Sequence, residues 1–280
     1  MTLPRMSHSR FEDYSNCGEM YRLKRIERVP TTPSIFSLAG IVFHEWTDWF
    51  DQPGRWARTP DDYVDSPNSD PHPHFLDESK LGLRLEELVA HEEEASGYAL
   101  REWDTPNKRQ DSNAKQLVKF RDELLPDWAE KYKAWRKETG WHIADLGDDS
   151  NIRWGIEVEL NTTAGGVEVI AFVDRIFYRP DTKDLVAIDS KTWSKRRTTA
   201  QLPTYLVLLR KLGLNVVGAA YYEARKGECT PIKDYKYWDE NRLAALHEQA
   251  ARGIEARFFV PRISEDCFMC DVKRHCTFAP

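Results

Sequence analysis

Apolar residues recur at helical spacing through the first fifty positions. Ser7 to Arg28 is predicted to be one helix, with Ser7 or Ser9 as its cap, Phe11, Tyr14, Tyr21 and Leu23 as its buried stripe, and Cys17 inside it. A second helix is predicted over Phe36 to Phe50, where Leu38, Val42, Trp46 and Trp49 follow the helical period and apolar neighbours flank His44, which is expected to be half-buried. Pro, Asp and Ser then dominate from Asp51 to Pro73, as in a loop. Polar helices are expected over Glu78 to Ala95 and Asn113 to Thr139, the latter anchored by Trp128, Tyr132 and Trp135. Residues 51–140 therefore read as a helical insertion.

After Gly140 the period changes to two. Ile152, Trp154, Ile156, Val158 and Leu160 share one face of a predicted strand while Arg153, Glu157 and Glu159 take the other, and Ala164-Gly165-Gly166 turns the chain. Strands over Val167 to Tyr178 and Leu185 to Lys191 complete an antiparallel meander. A helix starting near Thr199 carries Pro203 in its first turn and stops at Gly213; a strand over Val216 to Tyr222 and a helix over Asp239 to Arg257 follow. The fold class this predicts is α/β, a central mixed sheet flanked by helices, as one domain over residues 1–280.

Composition narrows the class of function. Hydrophobic residues make up 41% of the 280 and aromatics 12%, which suits a packed core and excludes disorder. No apolar run approaches the roughly 20 residues that span a bilayer, so a cytoplasmic protein without membrane contact is expected. A net charge of -6 argues against bulk coating of nucleic acid. It leaves room for a local phosphate track: Lys191, Lys195, Arg196 and Arg197 fall within seven residues that hold no acid, and Arg22, Lys24, Arg25 and Arg28 form a second cluster. Either cluster alone is more often a solvated surface.

The chemistry concentrates at strand ends. In Asp189-Ser190-Lys191 the strand period puts Asp189 and Lys191 on one face, and Asp174 interrupts the apolar strand before it, where the turn can bring it beside Asp189. Carboxylates so placed suit Mg2+ or Mn2+, which hold phosphate and acidify water, and an ammonium can offset charge on the phosphate. A lone D-x-K is short and common, and by itself reads as a strand-edge ion pair.

Four further features agree, and together they resemble the PD-(D/E)XK nuclease superfamily, in its RecB-like branch with the CRISPR-associated exonucleases, of cellular or phage origin. Asp174 matches the first acid of that core, Asp189 the second and Lys191 the lysine. Gln201-x3-Tyr205 matches the branch's helical Q-x3-Y motif, whose i, i+4 spacing shares one helix face. Gly40-Ile41-Val42-Phe43-His44 resembles its histidine motif, in which the His ligates metal. The resemblance implies Asp174, Asp189, Lys191, Gln201 and Tyr205 as catalytic residues, and His44, Asp174, Asp189 and the Ser190 backbone carbonyl as metal ligands. An imidazole in the shell favours Mn2+ more than oxygens alone would. Glu157 could add a carboxylate, with Glu159 as the alternative. Two departures stand: Ala171 occupies a position often held by Gly, and Asp189 one often held by Glu.

Cys267-x2-Cys270-x5-Cys276 and the distant Cys17 are the other strong signal. A tight C-x2-C loop is built to chelate, and thiolates alone leave zinc and an iron–sulfur cluster open. Iron–sulfur nucleases of the RecB-like branch carry a similar lone N-terminal Cys, although Gly18 stands where many have Pro. The resemblance therefore implies a 4Fe-4S cluster on Cys17, Cys267, Cys270 and Cys276, clamping the region 261–280 to the N-terminal part. Cys229 has no partner in the motif and reads as a free thiol. Lys195, Arg196 and Arg197 are the expected phosphate contacts, and Trp193, Tyr178 or the insertion's Trp residues could stack on bases. His72-Pro73-His74 with Asp70, and the acidic run at His91-Glu92-Glu93-Glu94, read as solvated surface.

The activity implied is metal-dependent hydrolysis of DNA from single strands or ends, in recombination, repair, replication or CRISPR-type processing, with recombination or CRISPR proteins as partners and an oligomer as an option. A non-catalytic iron–sulfur protein that binds DNA ends is the rival reading, and a redox sensor a third.

Overall fold

The computed structural model describes residues 3–31, 33–52, 80–103, 112–147, 154–192 and 200–279. Its elements are β1 (Met6–Ser7), α1 (His8–Asn16), α2 (Gly18–Tyr21), α3 (Ile35–Phe50), α4 (Leu81–Ser96), α5 (Asn113–Lys119), α6 (Leu125–Thr139), β2 (His142–Ile143), β3 (Ile156–Ala164), β4 (Val167–Arg179), β5 (Asp184–Lys191), α7 (Gln201–Lys211), β6 (Val216–Glu223), β7 (Glu228–Cys229) and α8 (Glu240–Glu255). The sheet runs β1-β4-β5-β6-β7, with β2 and β3 also on β4. β4 pairs antiparallel with β3 and β5, whereas β5 and β6 are parallel, so the sheet is mixed. The helix α7 makes the crossover that a parallel pair needs.

Each face of the sheet is apolar and each is covered. On one side Val158, Leu160, Val169, Ala171, Val173 and Ala187 pack under α1, α7 and α8. On the other, Phe177, Val186, Ile188, Ala220 and Tyr222 pack against α3, α4 and α6, where Phe43, Trp46, Trp128, Tyr132 and Trp135 form a continuous aromatic cluster. Each such ring contributes about 1.5–3 kcal/mol by leaving water. The helices of the segment 51–140 therefore supply much of one face's cover. They are also wired into it: buried Asp51, which ends α3, accepts from Arg136 of α6 (2.9 Å), Arg175 of β4 (2.8 Å) and the Tyr132 hydroxyl.

The expected single helix over Ser7 to Arg28 is broken. Ser7 caps α1 by accepting from the Arg10 N–H (3.2 Å), but Cys17 is extended (φ -163, ψ 114) and α2 starts anew at Gly18. The reason is non-local. The Gly18 N–H donates to the Val260 carbonyl (3.0 Å), and a Cβ at Gly18 would stand 2.6 Å from the Val260 nitrogen, so the C-terminal segment occupies the space a straight helix would sweep. Past α2, Arg22–Glu27 winds as a wide π turn to Arg28 in the left-handed region. The helix expected from Asn113 to Thr139 is continuous but carries a π turn at Phe120–Leu124, just before Pro126, which has no N–H for the helical ladder.

Candidate active site

β4 and β5 stay paired only as far as Arg175 opposite Ile188, and beyond that point side chains replace backbone in joining them. The Asp174 Oδ2 accepts the Ser190 N–H at 2.7 Å. The same oxygen lies 3.5 Å from His44 Nδ1, which α3 brings in from the opposite wall. Glu157 of β3 completes the group: one ligand atom each from His44, Glu157 and Asp174 all fall within 4.8 Å of one another. They line an open groove of ≈ 510 Å3 together with Gly40, Ile41, Asp48 and Thr192. Gly40 permits the approach of α3, since a Cβ there would lie 3.2 Å from Thr192 Oγ1.

Asp189 is fully buried on the α7 side of β5. Its Oδ2 pairs with Lys191 Nζ at 2.6 Å, and its Oδ1 accepts from Gln201 Nε2 (2.7 Å) and the Tyr205 hydroxyl (3.1 Å). Gln201 and Tyr205, one helical turn apart on α7, also bond each other at 2.8 Å. The structure thus brings His44, Asp174 and Glu157 together as one group and Asp189, Lys191, Gln201 and Tyr205 as an adjoining one, joined by the Asp174 bond to Ser190. Glu159 lies elsewhere, 3.7 Å from Arg5. Lys195, Arg196, Arg197 and Trp193 fall outside the described residues, as do Asp70, His72 and His74.

The electrostatics follow from burial. Glu157 is pushed up to about 7 by desolvation first and by the Asp174 and Asp48 carboxylates next. Asp174 is raised by burial and by Asp189. Burial alone would lower Lys191, but Asp189 and Asp174 outweigh it and hold the ammonium above the usual lysine value. Burial also drives Tyr205 well above its ordinary value, so its hydroxyl stays a donor. The donor set, one imidazole and two carboxylates crowded against mutual repulsion, fits a divalent cation. Glu157 also has φ 45, uncommon for a non-glycine residue inside a strand, and such strain collects at functional sites.

Three neighbours were not anticipated. Buried Arg175 and Asp51 form an ion cluster behind the ligand group, which Asp48 joins from the groove itself. The available signs were a charged residue directly after Asp174 in an apolar strand and an acid one turn beyond His44. His8, at the start of α1, is pushed down to about 4 by burial and by Lys191. His247 of α8 is fully buried, edge-on to Phe11, and likewise pushed to about 4 by burial.

The cysteines meet at a second place. Cys17, Cys267, Cys270 and Cys276 line one cavity of ≈ 490 Å3, where Met20, Leu23 and Val272 pack around them. Main-chain N–H groups point at two sulfurs, Arg262 at Cys17 (3.3 Å) and Ser264 at Cys267 (3.5 Å). Burial pushes the Cys270 thiol up to about 11, a cost that a bound cation would reverse. Cys229 lies apart, on β7, with its thiol raised by burial.

Among known proteins, the Gene 69 proteins of Mycobacterium phages L5 and D29 are similar along their whole length. They are 24% and 26% identical to this chain, over 98% of it in each case and over 96% and 97% of their own sequences. A solved structure from Eubacterium rectale, named as a candidate exonuclease, aligns with 97% of this chain and 87% of its own at 14% identity and a TM-score of 0.43. Among the described residues no helix is long and apolar enough to cross a membrane. The sequence profile of the PD-(D/E)XK nuclease superfamily matches residues 5–277, and the chain belongs to that superfamily.

Proposed function

We propose that this protein is a metal-dependent deoxyribonuclease that removes nucleotides from single strands or ends of DNA. The observation that carries the reading is the convergence of His44, Glu157 and Asp174 within 4.8 Å beside the Asp189–Lys191 pair. In this reading His44, Asp174 and Glu157 hold Mn2+ or Mg2+, with Asp189 and the Ser190 carbonyl as further oxygen donors. When bound, the cation supplies positive charge to the phosphodiester and acidifies a water. Lys191, kept as an ammonium by Asp189, donates to the phosphate and offsets the charge it develops. Gln201 and Tyr205 orient Asp189 and, through it, the lysine. The run Lys195, Arg196 and Arg197, close in sequence to Lys191, contacts the phosphate backbone. Recombination or CRISPR-type processing is the setting that this chemistry suits.

We further propose that Cys17, Cys267, Cys270 and Cys276 hold a 4Fe-4S cluster. The four cysteines share the lining of one cavity, which supports a common bound group. The cluster would tie α2 to the C-terminal segment as a clamp.

One experiment tests the enzyme reading. Protein purified without air, with iron, sulfide and zinc measured, is incubated with DNA labelled at either end, with and without Mn2+ or Mg2+. Stepwise release of nucleotides only with metal, abolished in Lys191→Ala while DNA binding persists, is the expected result. An equally active Lys191→Ala refutes the assignment, and DNA-end binding without any release favours a non-catalytic partner.

A further inference from the structure

The side chain of Arg175 is 1% exposed, with two of its nitrogens hydrogen-bonded and the third in an ion pair. Nε donates to Asp51 Oδ2 at 2.8 Å, Nη2 pairs with Asp48 Oδ1 at 2.8 Å, and Nη1 donates to the Asp174 carbonyl at 2.6 Å. Nη1 also lies 4.0 Å from Glu157 Oε1.

Arg175 is not the sole cation paired with Asp51. Asp51 already pairs with Arg136 at 2.9 Å and accepts from Tyr132. The other three contacts all lead to the candidate ligands: Asp48 lies one turn beyond His44 on α3, the carbonyl is that of Asp174, and Glu157 is the third member. One guanidinium on β4 therefore pairs with α3 through Asp48 and stands within 4.0 Å of Glu157 on β3. A guanidinium suits the task because its donors are rigid and divergent, which an ammonium cannot match.

We propose that Arg175 is a positioning residue for the metal-ligand group, a fixed internal cation that holds α3, β3 and β4 at the spacing His44, Asp174 and Glu157 need. The inference rests on the metal reading above. It runs against simple electrostatics, in which a buried cation beside the site would repel a metal ion and weaken binding. The two effects have opposite signs, so they can be separated.

The test measures Mn2+ affinity by electron paramagnetic resonance on the full-length protein, together with thermal melting and near-UV circular dichroism. Arg175→Lys keeps the charge and loses the fork, Arg175→Met loses both, and Asp174→Asn marks loss of the site. Residues that orient metal ligands typically matter by 10–100-fold. Both Arg175 variants are expected to keep the aromatic dichroism and to bind Mn2+ at least about tenfold more weakly. The Mn2+ needed for half-maximal nuclease rate should rise in parallel, with the rate at saturation largely restored. A folded Arg175→Lys with wild-type affinity overturns the inference, as does tighter binding by Arg175→Met. A lower melting temperature with unchanged affinity, or failure of both variants to fold, assigns Arg175 to stability alone and overturns it equally. If wild type binds Mn2+ no better than Asp174→Asn, the metal reading itself fails and this one falls with it.

Discussion

Replacing Asp51 by Asn should be among the most destabilising isosteric changes in this chain. The carboxylate is fully buried, and both oxygens are in use: Oδ1 takes Arg136 at 2.9 Å, while Oδ2 takes Arg175 at 2.8 Å and the Tyr132 hydroxyl. An amide is the same size but neutral, and its NH2 would face a donor. Two guanidiniums, each 2% exposed or less, would share one neutral acceptor, with Asp48 left as the nearer counter-charge for Arg175. Removing one member of a buried ion cluster costs roughly 3–5 kcal/mol. Against a total of about 5–15 kcal/mol that is a large share. At roughly 2–4 °C per kcal/mol for a domain of this size, the melting temperature should fall by about 6–20 °C. The pH dependence gives the sign independently. Burial alone would raise Asp51, but Arg136 and Arg175 outweigh it and hold the carboxyl below its ordinary value of 3.8. A depressed folded-state value means that stability is present in full above the ordinary value and is lost as pH falls through the folded one. The gap between wild type and Asp51→Asn should therefore be constant near neutrality and close only in strong acid. Thermal melts in chelator, so that no bound metal contributes, measure both. A drop of less than about 2 °C at neutral pH, well under the penalty for a broken buried pair, would refute the reasoning.

Two changes probe the sites more directly. Gly18→Ala places a Cβ 2.6 Å from the Val260 nitrogen and 2.8 Å from Phe259 backbone atoms, which cannot yield as a flexible side chain would. It should part α2 from the C-terminal segment, so iron per chain after anaerobic purification should fall several-fold, and wild-type iron content would count against the clamp. Tyr205→Phe removes one of the two hydrogen bonds to Asp189 Oδ1 and leaves Gln201 in place. A loss of about 1 kcal/mol in stability is expected from a single buried hydrogen bond. The turnover rate should fall about tenfold with DNA affinity unchanged, as for a group that orients a catalytic one. A rate equal to wild type would make Tyr205 a scaffold residue.

The parts of this molecule that were legible in its sequence are those governed by short periods. Strand alternation located β4 and β5 to within two residues at each end, because both faces of that sheet are buried and a slip of one position would bury charge. Helical spacing likewise placed Gln201 and Tyr205 on one side of α7, where both reach Asp189. What periodicity does not carry is any bond between residues far apart in the chain. Nothing near Cys17 announces that Val260 will claim the Gly18 N–H, so the predicted helix ran on through the break. The same contact bars proline from position 18, since proline has no N–H to give Val260 and its ring would need the space that Val260 fills.

Charge inside the fold was the least legible feature. Asp51 looked like the first residue of a polar loop, and by pattern alone it is one: Pro, Gly and Arg follow within a few positions. Its burial is decided by Arg136 and Arg175, 85 and 124 residues further on, and neither partner is marked by local sequence. A buried carboxylate without them would be protonated or would unfold its surroundings, so the three charges can only have entered the interior together. That interdependence changes how the segment 51–140 should be regarded. The segment reads as a helical insertion, yet α6 donates a guanidinium to the acid that also fixes Arg175, and Arg175 reaches the Asp174 carbonyl at 2.6 Å. Deleting the helices α4 to α6 would strip cover from one sheet face and remove Arg136 from the ion cluster, leaving Asp51 dependent on the arginine that the ligand group also uses. The helices α4 and α6 are thus coupled to the candidate active site through buried Asp51 and through the Arg84 pair with Glu45, which lines the same groove as His44.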